Sequence, residues 1–144
     1  MDDIETVRAR LEVAELSVGG LAGLLEAAWD GFALLLAACR SSEDGSAGLY
    51  AAFSFAAARA AEARLLLWAA PSLPRICDWE TGHGVFVADD LEGAADGLAR
   101  LADVLSTRLS SASRTAAGPG DQGACADAAG KAAQIYQLLA RNPS

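Results

Sequence analysis

Apolar residues at Ile4, Val7, Leu11, Ala14, Val18, Leu21, Leu25, Ala28, Phe32, Leu35 and Cys39 recur in alternating steps of three and four. That is the period of one helical face, sustained too long for a strand or loop. The register crosses Gly19-Gly20 without a slip, so the sequence predicts one helix over residues 3–40, with a seam about 54 Å long at roughly 1.5 Å per residue. Asp2, Asp3 and Glu5 crowd its start, where carboxylates cap free amides and oppose the positive end of the helix dipole. Up to Ser17 the off-seam positions carry charge. Beyond Gly20 nearly every face is apolar except at Glu26 and Asp30, which marks the second half as the buried half.

The rest of the chain supplies helices for that rod to pack on. Ser41-Ser42-Glu43-Asp44-Gly45-Ser46 reads as a polar turn, followed by a second helix over residues 46–70 that must stop before Pro71. Its seam is Leu49, Phe53, Ala56, Ala60, Ala63 and Leu67, and the remaining faces are so apolar that it is expected to be the central, most enclosed helix. Pro71 to Asp89 is a long irregular stretch. A third helix over 90–115 is cleanly amphipathic, with Leu91, Ala94, Leu98, Leu101, Leu105, Leu109 and Ala112 opposite Glu92, Asp96, Arg100, Asp103 and Arg108. Ala116 to Gly120 forms a second turn, and a fourth helix over 121–141 places Cys125, Ala128, Ala132, Tyr136 and Leu139 inward. The expected fold is therefore all-α: an up-and-down four-helix bundle with a long N-terminal helix and one long loop between helices 2 and 3. All 144 residues belong to one domain, a length that supports a true core at 53% hydrophobic composition.

Charge narrows the choice of partners. A formal net charge of -8 with a single lysine, Lys131, leaves no basic surface for phosphates, so no nucleic acid is expected. The most apolar window, Leu21 to Ala38, approaches the length of a membrane span, but Glu26 and Asp30 would be costly in lipid and no membrane association is expected. Three cysteines cannot all pair within one chain and no signal peptide precedes the first helix, so a reducing, cytoplasmic setting is expected. Trp29-Asp30-Gly31 fits the W-x-G triplet of a small secreted helical-hairpin family. There the triplet marks a turn, whereas this seam runs through it, and the resemblance is set aside.

Two groups of side chains could carry chemistry. Cys77, Asp78, Glu80 and His83 share the long loop and could converge as nucleophile, base and orienting group, although their spacing matches no known signature. No metal and no cofactor is expected: zinc needs three or four ligands, the other cysteines lie on distant seams, and there is no phosphate loop, nucleophile elbow or Glu-x-x-His pair. The second group is a ligand-pocket wall formed by Trp29, Trp68, Trp79 and Tyr50, with Arg59, Glu62, Glu26 and Asp30 as its polar members. An antiparallel register centred near Glu43 brings Arg59 and Arg64 level with Glu26 and Asp30, and Trp68 beside Gly19-Gly20.

No motif fixes a reaction, so enzymatic activity is left open. The first expectation is a soluble interaction protein acting through helix-mediated homodimer or heteromer formation, its partner a second copy or another helical protein, because the seam at Ile4, Val7, Leu11 and Ala14 outruns the second helix. The alternative is a small-molecule-binding protein or cofactor-free enzyme, with a pocket for a small apolar or aromatic ligand between the helices under the 71–89 loop. In either case Trp79 and Phe86 are expected to anchor that loop on the overhang.

Overall fold

The computed structural model describes Ala9 and residues 20–42, 50–73 and 91–140. Among them it contains four helices and no strand: α1 (Leu21–Ser42), α2 (Tyr50–Trp68), α3 (Leu91–Thr115) and α4 (Pro119–Ala140). The chain is all-α, as its periodicities require.

The third predicted helix matches α3 to within a residue, and its stripe Leu98, Leu101, Leu105, Leu109 and Ala112 is buried. Along α1 the seam Leu21, Leu25, Ala28, Phe32, Leu35 and Cys39 is likewise buried, and the helix passes through Trp29-Asp30-Gly31 without a turn. The unbroken rod across Gly19-Gly20 is corrected. Gly20 stands in a turn, its carbonyl accepting from the Leu24 amide at 3.0 Å, and α1 starts at Leu21. Glycine costs up to about 1 kcal/mol in a helix interior, and two in succession favour a helix start over a continuation. The overhanging seam from Ile4 to Val18 lies outside the described residues.

Helix α4 starts two residues before the predicted Asp121. Pro119 takes the first helical position, where its fixed φ suits the helix and its missing amide costs nothing. The carbonyl of Gly118 accepts from Gln122 at 3.0 Å, and the Gln122 side chain closes the connection by donating to the Ala116 carbonyl at 2.7 Å. Ile135 rather than Tyr136 faces inward; Tyr136 is 41% exposed.

Packing is most extensive between α3 and α4, then between α4 and α2 and between α2 and α1, with a smaller contact between α1 and α3. The three-residue link between α3 and α4 makes that pair antiparallel. Helices α2 and α4 are antiparallel as well, since Ser72 meets Asp121 at one end while Glu62 meets Lys131 nearly three turns further along. Trp29 meets Arg64 and Trp68, which turns α1 back along α2. Helices α2 and α3 therefore run in the same direction, and strict up-and-down alternation is not kept between them. Leu73 and Leu91 consequently lie at opposite ends of the described helices.

The core mixes two side-chain sizes. Leu24, Leu25, Phe32 and Leu35 of α1 and the α3 leucines supply bulk, whereas α2 and α4 contribute Ala56, Ala60 and Ala63 and Ala124, Ala128 and Ala132. Small residues at these positions let the α2 and α4 axes approach closely. Their junction shows the same economy: a Cβ on Gly120 would lie 3.0 Å from Pro71 Cγ and 3.1 Å from Cδ. By contrast, Gly130 sits exposed in mid-helix with nothing within 4 Å of an added Cβ. Gly130→Ala is expected to raise stability by about 0.5–1 kcal/mol through helix propensity, whereas Gly120→Ala should lose that gain against the rigid proline ring. Urea midpoints at unchanged slope would distinguish the two.

Candidate functional site

The predicted pocket wall divides into two groups on opposite flanks of α2. On the α1 flank, Trp29 is buried and its ring centroid lies 5.5 Å from that of Trp68, at an interplanar angle of 41°. Arg64, only 5% exposed, places its guanidinium carbon 4.1 Å above the Trp29 ring. The ring's electron-rich face offsets part of the cost of burying that cation. Trp68 therefore meets Trp29, a pairing later in register than one centred near Glu43.

On the α4 flank, Arg59 turns to Glu62 of its own helix, Nε to Oε1 at 2.6 Å and Nη2 to Oε2 at 3.3 Å. Lys131 joins them from α4, its Nζ 3.2 Å from Glu62 Oε1. The hydrogen bond from Lys131, reinforced by the charge of Arg59, holds the Glu62 carboxyl below its ordinary range against a smaller opposing effect of burial. Arg59 thus belongs with Glu62 and Lys131 rather than with Glu26 and Asp30, which stand half-buried on α1. An arginine three residues before a glutamate can reach it on the same helix face, and that local pair prevails over the longer reach to α1.

Tyr50 opens α2, but its side chain lies outside the described residues, as do Trp79, Phe86 and the whole Cys77, Asp78, Glu80 and His83 group. Among the described residues no three His, Cys, Asp or Glu side chains gather in a way that could hold a metal ion. Cys39 and Cys125 are both buried, and Cys125 is a free thiol.

A third group joins α2 to α4. Asp121, in the first turn of α4, accepts from the Ser72 amide at 3.0 Å and from Ser72 Oγ at 2.6 Å. Both bonds go to a carboxylate that is itself buried, the setting in which such bonds are strongest. One turn further on, burial and, secondarily, the charge of Asp121 push the Cys125 thiol up to about 11. A thiol that ionises less readily folded than unfolded leaves stability intact below the unfolded value near 9 and removes it as the pH rises from there through 11. Unfolding free energy measured from pH 8 to 11 should therefore fall less steeply in Cys125→Ala than in the unaltered chain. Equal slopes would count against an ionisation-resistant thiol.

The feature least expected from sequence is the outward face of α2. Phe55 is 57% exposed and Leu65 is 63% exposed, so this helix is not the enclosed centre of the fold. They share a seam with Ala51, Ala58, Glu62 and Ala69, again in alternating steps of four and three, and every member of it is exposed or half-exposed. Phe53, Ala56, Ala60, Ala63 and Leu67 fill the core from the opposite side. Helix α2 therefore carries two coiled-coil-like seams, only one of them used within the described fold.

One further stretch, Leu21–Arg40, is long and apolar enough to cross a membrane by length and composition, with a mean hydropathy of 1.5. In the fold 67% of it is buried, the property of a core helix. Comparison of the chain with protein-family models, with curated proteins and with solved structures found no match.

Proposed function

We propose that this chain is a helical-bundle interaction protein that associates through helix surfaces, with the outward face of α2 as the contact. The observation that carries this reading is the exposed seam itself: a phenylalanine and a leucine, each more than half exposed, in coiled-coil register on a helix whose other seam is core. Single apolar residues on a surface need no explanation, but an ordered row at heptad spacing matches the way helices recognise helices. The small-molecule alternative draws no support from Trp29 and Trp68, because Trp29 packs against Trp68 on one side and Arg64 on another. The buried free thiol of Cys125 favours a reducing compartment.

Light scattering over a concentration series tests the reading. The intact chain should gain mass with concentration, and Phe55→Asp/Leu65→Asp should shift that rise at least tenfold upward while leaving helix content and melting nearly unchanged, since neither side chain belongs to the core. A chain that stays monomeric to several hundred micromolar, with the double variant indistinguishable from it, would contradict self-association through this face.

A further inference from the structure

We propose that the partner on this face is a second copy of the same chain, lying antiparallel across α2 about a twofold axis at the level of Ala60; the inference rests on the association reading above. The seam is palindromic about that level: Ala51 falls opposite Ala69 of the second copy, Phe55 opposite Leu65, and Ala58 opposite Glu62. A twofold contact requires this self-complementarity, since each copy presents the same patch. The two large side chains fall at equal distances on either side of the axis, each meeting the other's counterpart and neither meeting itself.

Charge supports the same arrangement. A twofold axis normal to the helix pair carries each flank onto the same flank of the other copy, so Arg59 of one chain lies within about a residue's rise, roughly 1.5 Å along the axis, of Glu62 of the other. Arg59 and Glu62 are both partly exposed on that flank, side by side with Lys131. Glu62 already collects two cations, and the second copy's Arg59 extends that set across the axis. The outward side of α2 also adds little repulsion between like copies: Arg64 is buried, and the partly exposed Arg59 and Glu62 cancel, in a chain whose net charge is -8. One helix pair covers less than the roughly 800 Å² per partner of a standard interface, so the expected dimer is weak, dissociating in the micromolar range and loosened by salt.

Charge reversal in the full-length chain tests the inference by sedimentation equilibrium. Arg59→Glu alone sets a second carboxylate against Glu62 across the axis, and Glu62→Arg alone sets a second guanidinium against Arg59, so each should associate at least tenfold more weakly than the unaltered chain. An equimolar mixture of the two variants pairs opposite charges at both contacts and should recover most of the lost affinity. Every within-chain defect is the same in the mixture as in its components, so recovery reports only contacts between chains. If the unaltered chain dimerises but the mixture is no tighter than its components, the antiparallel pairing is overturned while association through helix surfaces stands. If the unaltered chain is monomeric throughout, both fall. A monomer that begins to associate when Leu11→Asp disrupts the N-terminal seam would overturn the inference in favour of that segment as the occupant of the α2 face.

Discussion

Trp29→Ala is expected to lower stability by about 3–5 kcal/mol, the range for removing a fully buried large aromatic side chain. The loss has two sources. Deleting the indole leaves a cavity between α1 and α2, lined by Trp68 and the neighbouring core, that the rigid helices close only in part. It also leaves the Arg64 guanidinium buried without the ring it covers at 4.1 Å, an interaction worth up to about 2 kcal/mol when desolvated. Trp29→Phe keeps most of the volume and an aromatic face, and should recover more than half of the loss. Denaturant titration of both variants checks the ordering. Against a total of about 5–15 kcal/mol for ordinary domains, the alanine variant should lie near the edge of folding. A Trp29→Ala loss below about 1 kcal/mol would show that the tryptophan pair does not hold α1 on α2.

The second large effect is expected at Asp121. Asp121→Ala removes the acceptor of both Ser72 bonds and leaves the Ser72 amide and hydroxyl to find water at a half-buried junction. Hydrogen bonds to a charged group contribute about 1.5–3 kcal/mol, and a carboxylate in the first turn of α4 also opposes the positive end of the helix dipole. A loss of about 2–3 kcal/mol is expected, smaller in Asp121→Asn, which keeps an acceptor. Ser72→Ala should remove only the 2.6 Å hydroxyl bond and cost correspondingly less. A double-mutant cycle between Asp121→Ala and Ser72→Ala should show coupling, and independent effects would mean that the two residues do not act as a clamp.

Much of the architecture is legible in the sequence because polar residues mark the side that is not core. In α3, Asp96, Arg100 and Asp103 are exposed or half-exposed opposite the buried leucines, and one face is the only possible interior. Helix α2 offers no such contrast. Phe53 and Phe55 are equally apolar, two residues apart, yet one fills the core and the other faces outward, because the periodicity of an apolar helix fixes its seams without saying which of them is covered. The steps from Ala51 to Ala69 are visible in the sequence and are the signal that finds the second seam. The pattern places Tyr136 inward ahead of Ile135 for the same reason, the flanking alanines leaving the face of α4 underdetermined.

The polar readings fail on local chemistry. Gly118-Pro119-Gly120 reads as a turn, yet proline at the first helical position starts α4 there, which puts Asp121 in its first turn, where it holds Ser72. A register centred near Glu43 sends Arg59 to Glu26 and Asp30, while Glu62 stands three residues away on its own helix. The distant partner of that pair, Lys131, depends on the α2–α4 contact, and no spacing along the chain encodes it.

Hydroxyl-radical footprinting of the intact chain across a concentration series tests the central claim, that the outward seam of α2 is the contact surface, most directly. Side-chain oxidation at Phe55 and Leu65 should fall together as concentration rises through the micromolar range, while Tyr136, exposed on α4, should hold steady as an internal control. Oxidation at Phe55 and Leu65 that is independent of concentration, or that falls no further than at Tyr136, would contradict the claim.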